Sequence, residues 1–438
     1  MTKGEIEARI AEIKAKIERN NFLIDTYDTR QYCLKIVINS AYGAVSSRQN
    51  PMGSDDLANA ITMMGSHSIQ QVNEIGYDVI KEYAIREAKK RIEEDEGKRA
   101  EMETLIRNLE NDPNFVKQAH VFNDTDSMGI SLSLIPVEMF RKRKGEIAVT
   151  KAGYALVKEV CDEINDRFRK WYSDVTNSDN CRLIFKREKI CDIGIWLMKG
   201  GKDLDGAKKN YVVRVIDNED VKHFDGKYIK YTGVKFAKSV IPKPLKEAAK
   251  KVVETMLDSQ EQEATDKSLR ELWETYKNME MNDKAAIQKA NIIERYARVA
   301  ASEAARGPLG VVDELDGEPE EAPEAALGSF VKGTPGHVKA ALNYNTLIEL
   351  LGIKRLLPIE SGDTYKIVPV KPNKWGFETM GYLEEWPEEF NEHLEIDNVT
   401  GFNKAVYTEL KRFYKTVGWD AFNPSDNYEL SLLDILKM

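Results

Sequence analysis

The 438-residue chain has only four cysteines, Cys33, Cys161, Cys181 and Cys191, and no two of them form a CxxC pair. That spacing indicates neither a zinc site nor a disulfide framework, and it fits a reducing compartment. No apolar run approaches the roughly 20 residues that a membrane-spanning helix needs. No charged-then-apolar leader opens the chain, so a soluble, unexported protein is expected. An excess of positive charge is missing too. The net charge of −9 argues against a simple basic nucleic-acid binder, but not against an enzyme that keeps its positive charge in one cleft. The length allows two or three domains with a sizeable core. Composition therefore narrows the class and leaves the function open.

What is present begins with an amphipathic pattern. Thr2 and Glu5 have capping-box spacing, and Ile6, Ile10, Ile13 and Ile17 follow at steps of four, three and four. The isoleucines read as a packing seam, either for the next helix or for a helix of another chain. Asn20, Asn21 and Asp25 are expected to loosen the chain, and Asp28 with Gln31 offers a second cap. A helical hairpin is thus predicted, with Gly43 ending its second helix. On that second helix Lys35, Asn39 and Tyr42 fall at i, i+4 and i+7, so all three project from one face. An ammonium, an amide and a phenol in a row suit a long, flat anion, since the ammonium neutralises phosphate and the ring lies against a base. Taken alone, the same pattern also describes a solvated helix face.

A helical pattern returns from Asp55 to Tyr83, and residues 88–113 read as a charged, solvated helical excursion. Gln118 to Asn123, the turn Asp124-Thr125-Asp126, and the alternating stretch Ser127 to Leu134 read as a β-hairpin. Two carboxylates this close repel each other unless a cation lies between them. Magnesium, which takes oxygen ligands at roughly 2.0–2.1 Å and recruits substrate phosphates, suits such a turn. By itself the stretch is equally a polar hairpin turn. Further on we expect a helix from Thr150 to Trp171, a strand and turn from Leu183 to Cys191, and helices over Leu245–Leu257, Lys267–Met279 and Asp283–Ala301. Residues 312–325 hold seven acidic residues, no basic ones and two prolines, which reads as a surface loop.

Lys35-x-x-x-Asn39-Ser40-x-Tyr42-Gly43 resembles the fingers-helix motif of family B DNA polymerases, and Asp124-Thr125-Asp126-Ser127 resembles their catalytic turn. The two occur in the family's order. Lys208-Lys209-Asn210-Tyr211 resembles the family's primer-template-gripping strand, with Lys209 and Tyr211 expected on one face. Tyr231 to Pro242, His337 to Leu351 and the stretch around Val368 and Trp375 resemble the palm-to-thumb region of bacteriophage T4-type members. The resemblance implies an α+β, partial right-hand fold: fingers over residues 1–45, palm over 46–235, and a largely helical thumb over 236–438. It implies template-directed deoxynucleotide addition by two-metal phosphoryl transfer. Asp126 would hold two magnesium ions with a partner aspartate, with Asp124 and Glu188 beside them. Lys35, Asn39 and Tyr42 would bind the nucleotide, and Lys35 would protonate the leaving group. Lys208, Lys209 and Tyr211 would hold primer-template DNA. The terminal Leu432, Leu433, Ile435 and Leu436 would dock into a sliding clamp, or else fold back onto the thumb. The setting implied is the cytoplasm of a phage-infected bacterium.

Asn123, Lys186 and Asn210 depart from the family pattern. The sequence lacks the Asp-x-x-Ser-Leu-Tyr-Pro stretch carrying the other metal-binding aspartate, the exonuclease motifs, and the first fingers helix. Two metals bridged about 3.5–4 Å apart need more carboxylates than these. The methionine start and the cap at Thr2 lead us to expect one subunit of a polymerase made in two pieces, completed by an N-terminal partner, rather than a cloned fragment. The alternative is a non-catalytic DNA-binding and clamp-tethering subunit with a degenerate palm.

Overall fold

The computed structural model describes residues 3–124, 127–143, 145–198, 206–290, 293, 296, 330 and 333–424. It divides into two compact units, the first made of Met1–Val137 with Lys158–Phe185, the second of Glu138–Val157 with Lys186–Met438. Helices and small antiparallel sheets are mixed in the chain, as an α+β reading requires.

The first unit opens with helix α1, Lys3–Ser46, which runs 44 residues without a break, about 66 Å at 1.5 Å per residue. This corrects the expected two-helix hairpin within residues 2–44. Asn20, Asn21 and Asp25 do not interrupt the helix, because such residues cost only some tenths of a kcal/mol each in a helix interior. No glycine or proline lies between Glu5 and Tyr42. Thr26 and Thr29 donate to the carbonyls of Phe22 and Asp25 and stay inside the helix. Gly43 is not the end either, since the helix continues for three more residues.

The hairpin lies one step later. Residues 47–54 turn the chain, with the Ser54 N–H donating to the Val45 carbonyl at 2.9 Å, and helix α2 covers Asp55–Glu94. The Ser54 hydroxyl caps α2 by accepting from the Leu57 N–H at 3.2 Å, and Asp55 and Asp56 sit in its first turn. From Val72 onward α2 buries Val72, Ile75, Val79, Ile80 and Ala84, while its first turns leave Leu57 and Ile61 exposed. Helix α3, Arg99–Asn111, packs Met102 and Leu109 inward. Strands β1, His120–Asp124, and β2, Ser127–Ile130, form the expected hairpin, with Asp124 opposite Ser127. The second strand stops at Ile130 rather than Leu134. There the Ser131 hydroxyl accepts from the Ser133 N–H, and the Ile135 N–H donates to the Leu132 carbonyl, closing a turn. Helix α4 spans Lys151–Thr176. Within the first unit its Arg167 pairs with Glu82 of α2 at 2.6 Å, and Phe168 is fully buried.

In the second unit, strands β3, Phe140–Arg143, and β4, Glu146–Val149, form a hairpin. The main sheet is built on β5, Lys189–Met198, and β6, Gly206–Asn218, with β7, Val221–Lys222, and β8, Ile229–Thr232, both paired to β6. Helices α5, Lys243–Ser259, and α6, Gln262–Asn278, cover this sheet through Val252, Val253, Leu257 and Leu272, together with Phe413 and Tyr414 of the Thr408–Thr416 helix. A second core joins the Gly336–Leu350 helix to a three-stranded sheet of Ala286–Lys289, Thr364–Pro369 and Thr379–Tyr382, around Tyr344, Tyr365, Trp375 and Tyr382. Of the helix expected over Asp283–Ala301, residues 286–289 are thereby corrected to strand, while most of 291–301 lies outside the described residues. Ala286–Lys289 pairs with Thr364–Ile367 as an edge strand, because that ladder and the buried Tyr365 outweigh a local helical preference. The acidic stretch 312–325 lies outside the described residues.

Candidate functional site

In the first unit the long helix brings Lys35, Asn39 and Tyr42 onto one face, as the four-and-three spacing requires. All three are exposed, Tyr42 by 39 %. The Ser40 hydroxyl turns back onto the Ile36 carbonyl at 2.8 Å, so it adds no group to that face. The same unit contains the β1–β2 hairpin. Its register leaves a two-residue connection, Thr125-Asp126, between the paired Asp124 and Ser127. Thr125 and Asp126 lie outside the described residues, and Asp124 closes β1.

Close packing anchors this hairpin. A Cβ on Gly129 would stand 2.3 Å from the Phe122 ring, and one on Gly76 would stand 3.0 Å from Ile130 Cδ1. The absence of side chains at these two glycines is what lets the hairpin fold on itself and lie against α2. His120 meets Tyr77 edge-on at 6.1 Å, and burial pushes its pKa down. The Asn123 Oδ1 atom, next to the acidic turn in sequence, is buried without a hydrogen-bond partner.

In the second unit Glu188 immediately precedes β5 rather than lying within a Leu183–Cys191 strand. The stretch before it has no regular structure. At the end of the first unit the Asn165 side chain takes the place of a neighbouring strand for Phe185, donating to its carbonyl and accepting from its N–H. Glu188 accepts from Lys189 Nζ at 2.9 Å, and its carbonyl accepts from the Glu219 N–H at 2.7 Å. Desolvation pulls the Lys189 pKa down, but the bond to Glu188 together with the negative charge of Glu188 and Glu219 outweighs it, and the net shift is upward. Arg187 points the other way and pairs with both Asp217 and Asp220. Asp217 is fully buried. It also accepts from the Tyr154 hydroxyl at 2.7 Å and from the Asp220 N–H at 3.0 Å. Burial raises the Asp217 pKa, but the bonds from Tyr154, Arg187 and the Asp220 N–H with the Arg187 charge together outweigh it, and the net direction is down. Tyr154 is pushed up to about 12, first by desolvation and then by its bond to that carboxylate.

Lys208, Lys209 and Tyr211 are in β6, as expected, but the strand is irregular there. Trp196 pairs with Tyr211 and Met198 with Gly206, so residues 207–210 form a bulge, and Lys209 is left-handed at φ +57°. Strict alternation, which would put Lys209 and Tyr211 on one face, does not run through such a residue. Gly233 makes the bulge possible. It is itself at φ +69°, and a Cβ there would lie 1.9 Å from the Lys209 carbonyl oxygen. The Tyr211 ring stacks on Trp196 with centroids 6.1 Å apart, and the Trp196 ring lies back over Gly194, where a Cβ would come within 2.6 Å. The roles of Trp196, Gly194 and Asp217 were not read from the sequence. A glycine two residues before a tryptophan on a strand is the one signal available, since both then share a face. Leu432, Leu433, Ile435 and Leu436 lie outside the described residues.

Among the described residues no three His, Cys, Asp or Glu side chains converge as a metal cage. By residue type alone, Asp124 and Asp126 would offer the oxygen donors that magnesium takes. No helix of the described residues is long and apolar enough to cross a membrane.

Residues 5–158 match the DNA polymerase family B model. The DNA-directed DNA polymerase of Enterobacteria phage T4 is 24 % identical over 297 residues, which cover 65 % of this chain and 27 % of that protein. The chain thus spans about a quarter of the relative's length. Its resemblance to T4-type family B DNA polymerases is supported from both sides.

Proposed function

We propose that this chain is the C-terminal subunit of a two-piece DNA-directed DNA polymerase, supplying the second fingers helix (1–45), part of the palm (46–235) and the thumb (236–438). An N-terminal chain would add the remaining palm aspartate, the first fingers helix and the exonuclease. The observation that carries this reading is the exposed Lys35–Asn39–Tyr42 row on α1, in the same unit as a two-residue acidic hairpin, within the stretch that matches the family.

In this reading Lys35 neutralises the triphosphate, Asn39 donates an amide hydrogen to it, and Tyr42 lines the nascent base pair. The primer 3′-hydroxyl gives up its proton to water as its oxygen bonds to the α-phosphorus, the bond from that phosphorus to the oxygen bridging to the β-phosphate breaks, and Lys35 would give the departing pyrophosphate a proton. Asp126 and Asp124, with the partner's aspartate and Glu188, would hold two magnesium ions, whose charge lowers the cost of crowding phosphates onto carboxylates. Lys208, Lys209 and Tyr211 hold the primer-template, with the stack of Tyr211 on Trp196 keeping the ring in one orientation. Leu432, Leu433, Ile435 and Leu436 dock into a sliding clamp.

The test is primer extension with magnesium by the chain mixed with its N-terminal partner. Asp126→Asn should remove turnover and leave DNA binding largely intact. Retained turnover by that variant would refute the assignment, and absence of turnover by the unaltered pair would favour a DNA-binding scaffold.

A further inference from the structure

Lys209 holds a backbone conformation that a lysine rarely adopts, left-handed at φ +57° within β6. A residue in such a region persists only where its surroundings over-determine it. Gly233 supplies one constraint by lying under the Lys209 carbonyl. The Thr408–Thr416 helix supplies two more, one at each flank of the bulge.

Glu409, Arg412 and Thr416 follow at steps of three and four, so they share one face of that helix. The first flank is the end of β5, an edge of its sheet, where Met198 pairs with Gly206 at the base of the bulge. The helix takes both backbone polar groups of Met198. Arg412 Nη2 donates to its carbonyl at 3.1 Å, and its N–H donates to the Thr416 hydroxyl at 3.3 Å. That hydroxyl donates in turn to the Arg412 carbonyl at 2.8 Å, which holds it in place. The second flank is the chain leaving β8. Two residues after Gly233, the Lys235 N–H donates to Glu409 Oε1 at 3.3 Å. Glu409 is 1 % exposed, and its other oxygen accepts from Arg412 Nη1 at 2.9 Å. A carboxylate this buried is costly unless paired, so Glu409 and Arg412 hold each other and tie both flanks to one helix. Phe413 on that helix and Phe236 beside Lys235 are both fully buried, with ring centroids 6.2 Å apart.

We infer that Glu409, Arg412 and Thr416 are positioning residues for the Lys209 bulge, fixing its two flanks and thereby setting how tightly Lys209 and Tyr211 hold primer-template DNA. This rests on the reading of the bulge as a DNA grip, but half of its test needs no DNA.

Thr416→Val removes the hydroxyl and no charge. Hydrogen exchange of the full chain without DNA should be at least about tenfold faster over residues 206–211 in this variant, with the Gly336–Leu350 helix unchanged. Binding of a fluorescent primer-template duplex is then titrated against salt. Lys209→Asn, which removes the ammonium and suits a left-handed backbone, should make the log–log salt slope shallower by about 1. Thr416→Val should do the same although it takes no cation away, because a displaced Lys209 leaves its phosphate. The double variant should lose no more than Lys209→Asn alone. Thr416→Ser keeps the hydroxyl and should match the parent. Arg412→Lys keeps a cation beside Glu409, gives up the bond to Met198, and should loosen the same residues.

Exchange over 206–211 at the parent's rate, or raised equally in the Gly336–Leu350 helix, would overturn the inference. So would a parental salt slope in Thr416→Val alongside a shallower one in Lys209→Asn. Local loosening with a parental slope in both variants would instead sink the DNA-gripping reading of the bulge and leave its positioning by the helix intact.

Discussion

Asp217 offers the sharpest test of how the second unit holds Glu188 in place. Its carboxylate is fully buried and takes hydrogen bonds from Tyr154, Arg187 and the Asp220 backbone. Removing one partner of a buried ion pair costs about 3–5 kcal/mol, chiefly because the other charge is left unpaired. In Asp217→Asn, however, Arg187 keeps its exposed partner Asp220, and the new amide oxygen still accepts from Tyr154 or the backbone. The expected loss is therefore about 2–3 kcal/mol, read from the urea midpoint at neutral pH. The pH dependence adds an independent check. Asp217 has a depressed pKa in the folded chain, so the unfolded chain binds the proton more readily. Its contribution is complete above the unfolded value of about 3.9 and is lost as pH falls through the lower folded value. The parent should thus lose stability more steeply than the variant below about pH 4. A change under about 0.5 kcal/mol, or parallel acid limbs, would refute the claim that this cluster carries load.

Gly233→Ala should destabilise the second unit by about 2 kcal/mol or more, because the added methyl meets the Lys209 carbonyl and the backbone is left-handed. An unchanged melting temperature would contradict that. Cys191, pushed up to about 11 mainly by burial, should alkylate last among the thiols at pH 8, and exposed Cys33 first; mass spectrometry of partially labelled protein reads the order. Deleting Ser431–Met438 should spare extension of short primers and abolish clamp-stimulated synthesis, and unchanged processivity with the clamp present would remove the proposed role of the tail.

Much of the secondary structure was legible because it is local. The acidic hairpin followed from alternation, and α2 and α4 to α6 from apolar periodicity. The errors arose where local signals were weak or were overruled. Asn20, Asn21 and Asp25 looked like a break, yet each merely lowers helix propensity, and a 44-residue helix absorbs them. Ala286–Lys289 became a strand because Thr364–Ile367 was waiting to pair with it.

The spelling of Lys35, Asn39, Tyr42 and the Asp124–Asp126 turn depends on neighbours along the chain, so the sequence by itself determined the chemical inventory, the α+β class and the kinship. The left-handed turn at Lys209, the stack of Trp196 on Tyr211 and the buried Asp217 cluster depend on residues far apart in the chain. Backbone sterics against Gly233, ring packing over Gly194 and desolvation around a carboxylate exist only once those strands are adjacent, so the tertiary structure alone decided them.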